Sequence, residues 1–262
     1  MEKPSARLAA LGSARRVAPA ELAPFVARLI EHGAGARAGP LLPELHDADE
    51  QFALAAAAAL SAGRRVMGER RLASLLAQNP GHVRARALAL RQVRRFGAPP
   101  LASALAAGTA SEVERAVVAA RAAADAQDWP ALRGLEPALA AVGANDPFYP
   151  DAALLRAAWR ASTRDTGEQA LARTLITGLL TTRRGETEAR ILLAELERES
   201  PVRRAVPLLR IAGDRATPPL TPREAEQIAA LARTLPSEGE ELVGARARIL
   251  AFLDRAPRVP RR

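Results

Sequence analysis

The chain has 262 residues, no cysteine, three histidines and a formal net charge of +9 at neutral pH. The lack of cysteine excludes disulfide bonds and thiolate metal sites, and three histidines leave few ligands for zinc or copper. The length lies at the upper limit of one compact core. We therefore expect either one elongated repeat domain or two small packed units.

Composition predicts the fold class. Apolar residues make up 48% of the chain, mainly alanine and leucine, whereas aromatic residues make up 3%. Alanine and leucine are strong helix formers, while the β-branched and aromatic residues that favour strands are scarce. The sequence therefore predicts an all-α protein whose helices approach one another closely.

The positive charge has two interpretations. Lys3 is the only lysine, so nearly all of the 38 basic residues are arginine, spread along the chain among 29 acidic residues. A GC-rich coding sequence produces this excess of arginine and alanine without any binding role. Selection for phosphate binding usually gives a focused basic patch instead. Because the arginines are spread along the chain, we favour the coding-sequence origin, and nucleic acid is only the alternative partner.

The location of the protein is predicted from what the first residues lack. The N-terminal stretch is charged and has no unbroken apolar run of the kind found in signal peptides. The charge-free apolar segment at residues 52–63 is too short to cross a bilayer as a helix. We expect a cytoplasmic protein with no membrane partner.

The first 43 residues are predicted to form flanking helices or a cap. Residues 20–32 suit a helix that ends at His32 and Gly33, and residues 34–45 form a long break rich in glycine and proline. Residues 33–39 contain three glycines, but no strand precedes them and their spacing does not fit a dinucleotide-binding loop.

The densest polar cluster follows at residues 46–50, His-Asp-Ala-Asp-Glu. As a metal site it lacks a second histidine at helical spacing. As the N-terminal cap of a helix from Asp49 it is complete, because acidic side chains there accept hydrogen bonds from free backbone N–H groups. We favour the cap. His82, which follows another break, is predicted to be a first-turn surface residue.

Two interleaved series of helix-breaking residues organise residues 44–236. Their common period, about 34.5 residues, is typical of stacked helical hairpins. A capping box is predicted where Thr221 precedes Pro222 and Glu224. Residues 237–254 are expected to form a C-terminal capping helix, and residues 255–262 a basic flexible tail. The breaks fall at Gly63, Gly97, Asp128, Asp165, Ser200 and Pro236, and at Pro80, Gly108, Pro147, Gly185 and Pro218.

One unit carries a known pattern of large and small residues. If Pro80 closes the unit, Phe52 and Leu72 fall at large positions, and Ala56 and Gly68 fall at small positions. This pattern resembles the tetratricopeptide repeat in a degenerate form. The resemblance implies a right-handed superhelical stack of antiparallel helix hairpins over residues 44–236. It also implies a role in binding other proteins through a concave groove.

The resemblance has departures. Leu75 lies where the family usually has alanine, and Ala59 lies where it usually has an aromatic residue. Family members that clamp chaperone C-termini use paired asparagines in the groove, but Asn79 and Asn145 are the only asparagines here and both lie in predicted turns. We therefore do not expect that kind of clamp.

No pattern predicts catalysis, a cofactor, a metal ion or a small-molecule substrate. Four aromatic residues are expected to fill the core rather than form a base-stacking platform, with the hydroxyl of Tyr149 at the surface: Trp129, Phe148, Tyr149 and Trp159. The leading hypothesis is a non-enzymatic adaptor whose basic groove binds an acidic or amphipathic segment of another protein. The alternatives are a nucleic-acid-binding helical repeat and a non-catalytic accessory subunit of an enzyme. The predicted partner-binding residues are Arg84, Arg91, Arg95, Arg156 and Arg160.

Overall fold

The computed structural model describes residues 19–182, 187–213 and 219–256. These ranges contain fifteen α-helices, one 3-10 helix and no β-strand, so the predicted all-α class is confirmed. The helices within residues 19–182 are α1 Pro19–Glu31, α2 Gly35–Ala38, the 3-10 helix Gly39–Glu44, α3 Ala48–Ser61, α4 Arg65–Gln78, α5 Val83–Phe96, α6 Pro99–Ala107, α7 Glu112–Asp125, α8 Trp129–Gly134, α9 Glu136–Ala140, α10 Tyr149–Ser162 and α11 Thr166–Thr182. They are followed by α12 Thr187–Leu196, α13 Pro201–Gly213, α14 Pro222–Arg233 and α15 Glu240–Arg255.

The chain divides into two compact units. Unit 1 comprises Met1–Arg115 and Val142–Tyr149, and unit 2 comprises Ala116–Ala141 and Pro150–Arg262. Within each unit, helices that are adjacent in sequence pack together, and several helices also contact the next but one. This packing is compatible with a helical repeat. The hand of the stack, the hairpin arrangement and the four predicted segment boundaries stay predictions.

The N-terminal part of unit 1 packs on the following helix. Val26 of α1, Leu41 of the 3-10 helix and Leu54 of α3 are fully or almost fully buried in one cluster. The break predicted at residues 34–45 is therefore an ordered segment, formed by α2 and the 3-10 helix.

Helices α3 to α6 form the second cluster of unit 1. Ala56 of α3 and Leu72 of α4 have no exposed surface, and Leu101 of α6 lies in the same cluster. Gly68 is buried where α4 meets α3, since a Cβ atom there would lie 2.6 Å from Cγ of Leu60. The small positions of the predicted repeat thus allow close helix packing.

Phe52 differs from the expectation for a large repeat position. Its side chain is 40% exposed, whereas its neighbours Ala53 and Leu54 are buried. The interior face of α3 runs through Ala53 and Leu54, and Phe52 lies outside that face. Trp159 and Phe148 are buried as predicted, while Trp129 and Tyr149 are only partly buried.

Polar contacts hold the Asn-Pro-Gly turn between α4 and α5. The amide Nδ2 of Asn79 donates to Oδ2 of Asp49 at 2.8 Å. Nδ1 of His82 accepts a hydrogen bond from the backbone N–H of Ala85, so His82 caps α5 and is partly buried, in contrast to the predicted surface position. At the start of α3, Asp47 accepts hydrogen bonds from two backbone N–H groups, which confirms the predicted cap.

The predicted breaks separate helices wherever the structure describes them. Gly63 and Gly97 adopt the left-handed conformation with φ of 74° and 73°, which glycine adopts without steric cost. Asp128 and Asp165 cap the helices that follow them through their side chains, and the capping box of Thr221 and Glu224 is formed. Gly185, Pro218 and residues 257–262 of the predicted tail lie outside the described residues. An additional break, which we did not predict, separates α8 from α9 at Leu135.

One hydrophobic core cluster of unit 2 is formed by α12 to α15. Ile191, Leu208, Ile228 and Ile249 contribute one buried side chain from each of these helices. The last helix is therefore part of this core, packing on α13 and α14.

Candidate functional site

The described residues contain no group of three or more histidine, aspartate or glutamate side chains that could hold a metal ion. The predictions that the protein is not an enzyme and needs no cofactor stay predictions. The five arginines that the sequence indicated are the first candidates for a binding site.

The three predicted arginines of unit 1 lie on α5 and contact other parts of the same unit. Nε of Arg84 donates to Oε1 of Glu50 at 2.6 Å. Arg91 donates through Nη2 to the carbonyl oxygen of Pro147 at 2.5 Å. The guanidinium carbon of Arg95 lies 5.9 Å from the ring centroid of Phe96. Any partner at these positions would meet side chains that already contact the protein itself.

The two predicted arginines of unit 2 lie on α10 and share one carboxylate. Nε of Arg156 lies 2.9 Å from Oε1 of Glu136, and Nη2 of Arg160 lies 2.7 Å from the same oxygen. Nη1 of Arg160 also contacts Oε2 of Glu168. Both arginines are therefore engaged in ion pairs within unit 2.

A different surface of unit 1 exposes several large apolar side chains together. An open groove with a volume of about 540 Å³ lies along α3 and α4. Its apolar lining consists of Phe52, Val66 and Met67, which are 40%, 62% and 44% exposed. Contiguous exposed apolar surface is a feature of interaction sites, whereas single exposed apolar side chains are common on any surface. We call this surface the α3–α4 groove.

The remaining lining of the α3–α4 groove is polar and basic. Arg70, Arg71 and Ser74 continue along α4 at helical spacing from Val66 and Met67. Arg71 donates through Nη1 to the carbonyl oxygen of Ala55 at 3.2 Å, which holds it between α3 and α4. Arg70 is exposed and forms no ion pair with any other described residue. The groove therefore presents apolar side chains beside a cationic edge.

Local chemistry explains why these side chains form a groove. Gly68 allows α4 to lie directly against α3, and Val66 and Met67 precede it on the first turn of α4. At that end of α4, Arg65 is 4.7 Å from the ring centroid of Phe96 and its Nε is 3.6 Å from Oε1 of Glu69. These contacts hold Arg65 against Phe96 and Glu69, and Arg65 does not belong to the lining of the groove.

Sequence analysis missed the α3–α4 groove. The buried stripe of α4 joins Gly68, Leu72 and Leu75 at helical spacing. Val66 and Met67 lie off that stripe, and this position is the signal that they are exposed. Phe52 falls at a large position of the repeat pattern, where a side chain is expected to pack between helices, so the pattern does not predict that it lies exposed beside Val66 and Met67.

Comparisons with known proteins gave no match. Neither models of known protein families, nor curated proteins, nor solved structures give a match. Along the ranges that the structure describes, every helix is too short or too polar to cross a membrane. The observations thus define the class, an all-α protein compatible with a helical repeat, and leave its role to be inferred from its surfaces.

Proposed function

We propose that the protein is a non-enzymatic adaptor, a degenerate tetratricopeptide-like α-solenoid that binds an acidic, amphipathic helical segment of another protein. The observation that carries this proposal is the α3–α4 groove, in which three exposed apolar side chains lie beside arginines. Helical-hairpin stacks commonly act as binding scaffolds, which supports the same role.

The apolar floor favours a protein partner. An amphipathic helix binds such a groove by inserting apolar side chains spaced three or four residues apart. Phe52 offers a rigid aromatic surface, and Met67 has a flexible thioether chain that adapts to the shape of a partner. Nucleic acid would gain little from Val66 and Met67, since its backbone is recognised chiefly by charge.

The cationic edge of the groove, formed by Arg70 and Arg71, favours acidic protein partners. Arg70 and Arg71 present guanidinium groups that can bind carboxylates in a bidentate manner. A segment with apolar residues on one face and aspartate or glutamate beside them matches both halves of the groove. A basic segment would bring like charges together next to Arg70.

Nucleic-acid binding and an accessory role in an enzyme remain the alternatives. The net charge of +9 favours the first. However, Arg84, Arg156 and Arg160 already pair with carboxylates of the same unit, so their charge is locally balanced. Nucleic-acid binding would fall steeply with salt concentration, and the absence of a mobility shift at low salt would end that alternative.

The test is a comparison of proteins that co-purify from the producing cell with the wild type and with two variants. Val66→Asp places a charge in the α3–α4 groove, and Val202→Asp places the same charge at an exposed position of α13. Both side chains are about equally exposed, so neither change should unfold the chain. We expect one or more partners to be lost with Val66→Asp and retained with Val202→Asp. An identical set of partners with all three proteins would refute partner binding by the α3–α4 groove.

A further inference from the structure

Three donors of α10 converge on one carboxylate. The indole N–H of Trp159 donates to Oε2 of Glu136 at 2.9 Å. Arg156 and Arg160 donate to Oε1 at 2.9 and 2.7 Å. Two guanidinium groups and an indole arranged in this way satisfy both oxygens of a carboxylate, which is the geometry of a carboxylate-binding site. We call these three residues the α10 donor set.

The pKa of Glu136 agrees in direction with this geometry. Burial is the largest influence and by itself raises the pKa of Glu136, but the hydrogen bonds from Trp159, Arg160 and Arg156 outweigh it, so the pKa lies below its ordinary value of 4.5. The α10 donor set therefore stabilises a negative charge even though the site is partly removed from water.

Other contacts of arginine side chains add positive charge around the α10 donor set. The guanidinium carbons of Arg160 and Arg133 lie 4.7 and 5.8 Å from the ring centroid of Trp159. Arg160 also pairs with Glu168, yet its buried Nε has no hydrogen-bond acceptor among the described residues. Arg133, Arg156 and Arg160 thus each contact either the indole or a carboxylate of this cluster, so loss of Glu136 would leave an excess of positive charge.

The carboxylate of Glu136 can move away from the α10 donor set without unfolding of α8 or α9. The short helices α8 and α9 are anchored by Leu132 and Leu139, both buried, on either side of Glu136. Rotation of the glutamate side chain is enough to withdraw its carboxylate from the α10 donor set. Arg156 and Arg160 are partly solvent-exposed, at 22% and 13%, so another carboxylate can approach.

We propose that the α10 donor set is a second binding site, for a glutamate or aspartate side chain of an acidic segment on another protein, and that Glu136 occupies it as an internal competitor. An intramolecular group has a high effective concentration, so it lowers the apparent affinity of any external carboxylate. Only acidic segments presented at high local concentration then displace it. The inference is independent of the α3–α4 groove because it involves only residues of unit 2.

The test uses a blocked peptide of glutamates as the probe and a blocked peptide of glutamines as its neutral control. Binding is measured by calorimetry and by Trp159 fluorescence in a Trp129→Phe background at physiological salt. Glu136→Gln removes the competitor. Glu188→Gln removes one negative charge from the same unit at a distant pair, Arg121–Glu188, and is the matched control.

We expect Glu136→Gln to bind the glutamate peptide about tenfold more tightly than the wild type or Glu188→Gln, since removal of the competitor raises the competent fraction of the site. Adding Arg156→Gln and Arg160→Gln should abolish the gain. Equal affinities of the Glu136→Gln and Glu188→Gln proteins would overturn the proposal, as would a gain that persists without the arginines.

Two additions keep the outcome clear. Glu136→Ala should give the same gain, so the result does not depend on how one replacement folds, and circular dichroism checks each variant. Val66→Asp should leave peptide binding to the Glu136→Gln background unchanged. Failure of the groove and failure of the α10 donor set are therefore observed in different experiments.

Discussion

Gly68 of α4 lies so close to Leu60 of α3 that a Cβ atom at position 68 would be 2.6 Å from Cγ of Leu60 and 3.2 Å from the carbonyl oxygen of Ala56. Neither atom is the free end of a flexible side chain. The distance between α3 and α4 therefore depends on the absence of a side chain at this position, and the shape of the α3–α4 groove depends on that distance.

Gly68→Ala should destabilise unit 1. The overlap with Leu60 costs about 1–3 kcal/mol, as overpacking of a close contact generally does, against a gain in helix propensity of about 1 kcal/mol. Gly178→Ala is the matched control, because a Cβ atom there meets nothing within 4 Å. That change should stabilise the protein by about 0.5–1 kcal/mol. Urea unfolding measures both, and equal effects would contradict the close contact.

Removal of one member of the buried Arg86–Glu114 pair should be strongly destabilising. Nε of Arg86 lies 2.6 Å from Oε2 of Glu114, and both side chains are 4% exposed. Arg86 also donates to the carbonyl oxygens of Pro80 and Leu105. Arg86→Ala leaves the glutamate unpaired and should cost about 3–5 kcal/mol.

The exposed pair Arg223–Asp125 provides the comparison for Arg86. Its side chains are 63% and 51% exposed, so Arg223→Ala should change the free energy of unfolding by at most about 1 kcal/mol. Replacing both members of the buried pair, as Arg86→Met with Glu114→Leu, should cost less than Arg86→Ala alone. A cost for Arg86→Ala similar to that for Arg223→Ala would show that the pair is not buried in solution.

The contact of Glu136 should make stability depend on acidity. Its folded pKa lies below the unfolded value, so the ionised carboxylate stabilises the fold above the unfolded pKa, and this stabilisation is lost as the pH falls through the folded pKa. Glu136→Gln should therefore be less stable than the wild type at pH 7 and approach it at low pH. Urea unfolding at a series of pH values measures the difference, and a constant difference would contradict the ion-pair account.

Glu195 should show the opposite sign. Burial raises its pKa above the ordinary value of 4.5, while the charges of Arg198 and Arg223 only partly oppose this effect. Because the folded pKa is raised, the ionised form destabilises the fold above the folded pKa, and the penalty is absent below the unfolded pKa. Glu195→Gln should thus be more stable than the wild type at neutral pH and equal to it at low pH. Lower stability of the variant at pH 7 would show that the glutamate is better paired than its burial indicates.

Sequence predicts local features of this fold well because their causes are local. A turn glycine such as Gly97, or a capping aspartate such as Asp128, acts within a few residues of itself. The period of the breaks likewise required only the positions of such residues. The all-α class followed from composition for the same reason.

The candidate sites could not be predicted in this way, because they depend on distant residues. Glu136 and Arg160 are 24 positions apart, and nothing in either helical pattern links them. Counting arginines on one face of α10 identified Arg156 and Arg160 as accessible cations but not the carboxylate that already occupies them. The exposure of Phe52 was missed because a repeat pattern assigns a size to a position, whereas burial depends on which helix covers it.

Site-specific photocrosslinking in the producing cell tests the adaptor role most directly. A photoreactive residue at Ser74, in the lining of the α3–α4 groove, is compared with one at Thr174, an exposed position of α11. The account predicts that Ser74 alone crosslinks to a recurrent partner, and that the crosslinked peptide is an acidic, amphipathic helical segment. Crosslinks that are the same from both positions, or a basic crosslinked segment from Ser74, would contradict it.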